Sequence, residues 1–227
     1  VENTFKSVLA HEFSALYGHD NYLKLENFDA VPDNISSIIK LFGDIQQEMA
    51  RQMSKHHQAV THYLSEYGYI PLWVLVNVLT FGKVTMFYKL MKPQDKQNIA
   101  RKFHVDAKEL HKYMSLCGLA RNQCAHDERF FDLKFRWHLH TRSVANFSCL
   151  GLERDKSGSY PSGTNDVYAI GIVFARLLGT ADTAEFIASM SAAFSKLEQQ
   201  LHTISIKDVM RIMGYPAAWE RLQQLAR

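Results

Sequence analysis

Arg121, Asn122 and His126 lie in "CGLARNQCAHDERFF", residues 117–131, where ionisable groups crowd the end of an apolar-patterned segment. A histidine titrating near neutrality can take or give a proton. An arginine stays charged and presents fixed donors to a phosphate. An asparagine can orient an imidazole or bond a phosphate oxygen. Together these residue types suit metal-free cleavage of RNA, in which the ribose 2′-OH attacks its own adjacent phosphate.

The spacing complicates that reading. Asn122 and His126 are four apart and share one helical face. Arg121 stands five before His126, about 140° round the helix. It joins the same site only by its long reach, by distortion at the helix end, or from a second subunit. The plain alternative is a surface arginine, a surface asparagine and a capping histidine, which the helix dipole favours. Spacing alone leaves both open.

Other chemistries fit less well. Cys117, Cys124 and His126 read C-x6-C-x-H, which matches no usual zinc spacing. His56 and His57 point about 100° apart on a helix and chelate poorly. Cys124 and His126 are about 200° apart, so they form no nucleophile pair. The chain has no Gly-rich phosphate loop, no G-x-S-x-G, no H-E-x-x-H and no dinucleotide fingerprint. Neither a metal nor a cofactor is expected.

Directly after the motif, "DLKFRWHLHTRS" at 132–143 changes period. Lys134, Arg136, His138 and His140 alternate with Phe135, Trp137 and Leu139, as in an extended ribbon with one basic face. Two readings stand. Either the charges guard a half-buried edge strand, or Arg129, Lys134, Arg136, His138, His140 and Arg142 bind phosphates while an aromatic stacks on a base.

The elements that must position these residues read as helices by their 3.6-residue period. Helices are expected near 2–17, 35–66, 71–91, from Pro93, and from 107 to 126, where Asp106 is the cap and the motif closes the helix. A Gly/Ser/Pro loop at 153–166 is the best candidate for a mobile or subdomain-joining segment. Helices return near 165–179, 182–202, 205–213 and 216–226, with Ser205 a cap and Gly214 a stop. The fold expected is an all-α helical bundle with a short extended ribbon near 133–142 and a C-terminal helical segment. Its organisation is expected as a motif-bearing domain over 1–150 and a C-terminal segment over 151–227 that packs on it.

Composition agrees with an ordinary folded domain. Of 227 residues, 47% are hydrophobic and 22% charged, enough for a real core. The formal charge of +3 permits a polyanionic partner without demanding one. Three cysteines at irregular spacing make no disulfide framework, so a reducing, cytoplasmic setting is expected. No apolar run reaches the roughly 20 residues of a membrane span, so no membrane partner is expected.

Three blocks occur in order: "ENTFKSVLAHEFSALYGHDNYL", "IPLWVLVNVLTFGKVTMFYKLM" and "LARNQCAHDERFFD". They resemble the Abi-like (AbiD/AbiF) family of abortive-infection proteins, which belongs to the HEPN superfamily of helical ribonucleases. The tail "IKDVMRIMGYPAAWERL" is similar to that family's closing Gly-aromatic-Pro-x-x-Trp run, here Gly214, Tyr215, Pro216 and Trp219. The superfamily signature is an Arg, often followed by a polar residue, then a His after four to six residues; Arg121, Asn122 and His126 match it position by position. The resemblance implies a HEPN-type bundle acting as an endoribonuclease in phage defence, with two motifs facing each other across a homodimer. It implies an RNA substrate, products with a 2′,3′-cyclic phosphate and a 5′-OH, and an inhibitory RNA or protein antitoxin as partner. A second arginine after the motif is kept as Arg129, whereas Asp127 stands where relatives commonly carry histidine and Asp132 where they carry asparagine. Glu2, on the first helix, and Asp127 are assigned supporting places at the site. A family segment ahead of the first helix is expected to be missing. The alternatives are a non-catalytic RNA-binding module of the same fold and a helical protein-interaction scaffold.

Overall fold

The structure, a computed structural model, describes residues 1–126, 129–139 and 147–226; the side chains of 147 and 148 are not described. It is all-α, and the described residues contain no β-strand, only an isolated bridge between Phe28 and Met91. The chain forms two compact units, Val1–Ser115 and Leu116–Arg227. The division falls inside one helix. Among the described residues no helix is long and apolar enough to cross a membrane.

The first unit holds α1 (Glu2–Tyr17), α2 (Pro32–Ser54), α3 (Gln58–Tyr67), α4 (Leu72–Val78), α5 (Phe81–Leu90), α6 (Pro93–Lys102) and the start of α7 (Ala107–Ala125). α1 packs against α4 and α6, and α2 against α5. The core is aromatic: Phe5 meets Tyr88 at 5.5 Å, and Phe13 and Phe28 each meet Phe87 at 5.0 Å between ring centroids. Such edge-on pairs add to the burial of their faces.

Two long helices expected from periodicity are each broken in two. The one expected over 35–66 stops at Ser54 because His56 turns to a left-handed φ of 53°; His57 Nδ1 then accepts the Val60 N–H at 3.5 Å and caps α3. α2 also starts earlier than expected. Pro32 occupies its first position, where a missing N–H costs nothing. The helix expected over 71–91 breaks where Leu79 and Thr80 turn extended, and Thr80 Oγ1 accepts the Lys83 N–H at 3.4 Å. The apolar period runs through both breaks, so it registers the buried face and is blind to backbone turns that keep that face inward.

The second unit holds the end of α7, then α8 (Val167–Leu177), α9 (Thr180–Glu198), α10 (Ile206–Met213) and a 3-10 turn, Trp219–Leu225, where a helix was expected over 216–226. Tyr215 lies 4.9 Å from Tyr168, 5.3 Å from Phe194 and 5.4 Å from Trp219 between ring centroids. The closing Gly-Tyr-Pro-x-x-Trp run therefore supplies the hub of this unit's core. Ser205 and Asp208 form a reciprocal capping box on α10, and Gly214 ends that helix at φ +86°.

Candidate functional site

α7 carries the motif. Asp106 Oδ1 accepts the Glu109 N–H at 2.8 Å and starts the helix. Its stripe is Leu110, Tyr113, Met114, Cys117 and Ala120, all buried, whereas Leu119 is 41% exposed. That stripe fixes the roll of the helix. It turns Arg121, Asn122 and Cys124 outward in the last turn. His126 follows directly, exposed, its N–H still bonded to the Asn122 carbonyl at 3.1 Å.

The three motif side chains thus share exposure at one helix end. Arg121 Nη1 donates to Asn122 Oδ1 at 3.4 Å, a long contact between chain neighbours. His126 has solvent access. Cys117 is buried and Cys124 exposed on the same helix, and burial pushes the Cys117 thiol up to about 12. Among the described residues no cluster of three histidine, cysteine or acidic side chains is placed to hold a metal.

Over its described residues the basic segment after the motif is not the ribbon its period suggested. Over 132–139 the chain is irregular. Phe135 and Leu139 are buried as expected, but Trp137, assigned to the same apolar face, is 62% exposed. The backbone explains this. The Phe135 N–H donates to the Asn165 carbonyl at 2.6 Å and the Leu139 N–H to the Thr164 carbonyl at 2.7 Å. These two tethers are not a ladder, so strict alternation fails between them. The loop at 163–166 is bound in turn: Asn165 Nδ2 donates to the Phe135 carbonyl at 3.1 Å, and Thr164 is buried.

Several of the cations expected to bind phosphate have partners within the chain. Arg129 forks onto Asp132, with Nε–Oδ1 at 2.9 Å and Nη2–Oδ2 at 2.5 Å, and its guanidinium lies 5.7 Å from the Phe131 ring. Lys134 Nζ sits 3.5 Å from Asp166 Oδ2, and Asp166 is fully buried. Arg136 is exposed without such a partner among the described residues. His138 is exposed and lies 3.5 Å from Thr164 Oγ1. His140, Arg142 and Asp127 lie outside the described residues. Glu2 belongs to the first unit, where it pairs with Lys6 at 2.8 Å; Lys6 Nζ in turn donates to the Leu79 carbonyl, an acceptor freed at the α4–α5 break.

Asp166 is the residue that sequence reading passed over. One of its oxygens accepts the Gly163 N–H at 2.9 Å, the other the Ala169 N–H at 3.1 Å, so one carboxylate closes the loop and caps α8. Its signal was present as an acidic residue directly before the apolar run "VYAIGIVFARLL".

The model of the Abi-like protein family matches residues 1–132, which includes the whole of α1–α7 and the motif. No curated protein and no solved structure matches the chain.

Proposed function

Because the chain belongs to the Abi-like protein family, we propose that it serves abortive infection as a metal-independent endoribonuclease of the HEPN kind. RNA is cut by attack of a ribose 2′-OH in a site shared by two copies of the chain. His126 moves the proton, Arg121 stabilises charge on the phosphorane, and Asn122 orients the imidazole or a phosphate oxygen. The observation that carries this reading is the common exposure of Arg121, Asn122 and His126 at the end of α7. Exposed on one helix end, the three side chains make an open half-site, which a twofold mate would close. The same unit exposes Leu119, Phe131 and Trp137, apolar surface of the kind a partner covers. Arg136 and His138, both exposed, guide the RNA backbone toward the site.

RNA cleavage by the intact protein in EDTA tests the proposal. It predicts products ending in a 2′,3′-cyclic phosphate, with loss of cleavage but not of RNA binding in His126→Ala. Binding without cleavage of any RNA would favour the non-catalytic RNA-binding module. That reading draws support from the same exposure, since a binding surface needs no enclosed cleft.

A further inference from the structure

The first unit contains a cavity of about 670 Å³ lined by residues of α5, α6 and the start of α7. Its volume falls within the range of roughly 300–1,000 Å³ that suits small-molecule sites. Four lysines line it from three helices: Lys89 from α5, Lys96 from α6, Lys108 and Lys112 from α7. A single carboxylate, Asp106, lines it with them, and that carboxylate already caps α7 by accepting the Glu109 N–H. Gln97 Oε1 accepts the Ala107 N–H at 3.3 Å, so the helix start is also served from within the chain.

The cations are not so provided for. Lys96 Nζ donates to the Lys89 carbonyl, a neutral acceptor, at 3.0 Å. Lys89, Lys108 and Lys112 have no carboxylate within salt-bridge distance among the described residues. Crowding is felt by the groups between them. Burial, then Lys89, Lys96 and Lys112, hold His111 below its usual range; burial lowers Lys96, with Asp29 opposing that shift and Lys89 adding to it. A fold that converges like charges in a concave site has an unmet demand for negative charge.

We propose that this cavity binds a small polyphosphate ligand of the nucleoside di- or triphosphate class. Several phosphates answer four lysines better than one does, and each ammonium contributes a charge-assisted hydrogen bond. Pro93, Ala107 and the lysine stems provide an apolar wall for the remainder of the molecule. The site is independent of the motif and of the proposed cleavage reaction.

Isothermal titration of the intact protein at low salt, with ATP, tripolyphosphate, orthophosphate and adenosine as probes, tests it. ATP and tripolyphosphate bind, ATP the tighter, and adenosine does not. Lys89→Gln combined with Lys112→Gln weakens ATP by about tenfold or more at unchanged melting temperature. Lys108→Glu, on an exposed position, does the same should the double variant fail to fold. Absence of binding by both ATP and tripolyphosphate overturns the proposal, as does ATP affinity unaltered in a folded variant. So does ATP binding no tighter than orthophosphate. RNA cleavage persists in the double variant, so failure of this site and failure of the cleavage proposal are read separately.

Discussion

Single side chains set several measurable properties. Burial holds the Cys117 thiol near 12, while Cys124 is exposed on the same helix. A thiol reagent at pH 8 should therefore modify Cys124 in the folded protein and spare Cys117 until the chain unfolds; labelling followed by peptide mass mapping checks this, and early modification of Cys117 would contradict it. His111 gives a pH dependence. Its folded value lies below the ordinary histidine value, first through burial and then through Lys89, Lys96 and Lys112, with Lys108 and Asp106 also on the cavity. As pH falls below about 6.5, the unfolded chain takes a proton that the folded chain resists. Stability from this residue is present above that pH and declines as pH falls through the folded value. His111→Gln should flatten the acid limb of a denaturation series from pH 8 to 5; an unchanged slope would refute the assignment. Gly214 is a steric case. A Cβ there would overlap the Asp166 carboxylate, at a φ of +86°. Gly214→Ala should cost more than about 1 kcal/mol, read by denaturant unfolding.

At the scale of elements, caps and breaks shape the chain as much as apolar faces do. The Ser205 cap of α10 was legible from residue type, its reciprocal partner Asp208 emerging in the structure, and Ser205→Ala should cost about 1 kcal/mol in urea unfolding, with a negligible loss speaking against the cap. Asp106 at α7 and Gly214 after α10 were equally legible, because caps are local chemistry. The breaks at His56 and at Leu79–Thr80 were not. Leucine carries no turn signal, and the hydrophobic period hid both the cap that Thr80 offers and the left-handed turn that histidine tolerates. The segment after the motif failed for a different reason. Its alternating pattern is real, but its N–H groups meet carbonyls of a loop some 30 residues on, which no local window contains. The motif itself was legible as residue types on one helix end. The fork of Arg129 on Asp132 and the pairing of Lys134 with buried Asp166 were not, since partnership needs three dimensions. The lysine cavity left a trace in Lys108, His111 and Lys112, which share a helix face, yet Lys89 and Lys96 join them only through folding.

For the molecule as a whole, the proposed mechanism needs a second copy of the chain beside the exposed motif at the end of α7. Light scattering on a gel-filtered sample should report a dimer, and a strict monomer would remove the composite site. A more direct measurement mixes two inactive variants. In a twofold site that takes Arg121 from one copy and His126 from the other, a pairing of Arg121→Ala with His126→Ala chains carries one doubly damaged site and one intact site. After co-refolding at equal amounts, RNA cleavage in EDTA should return to about a quarter of the wild-type rate, though each variant alone is inactive. A mixture as inactive as its parents, with mixed dimers shown to form, would contradict the shared site.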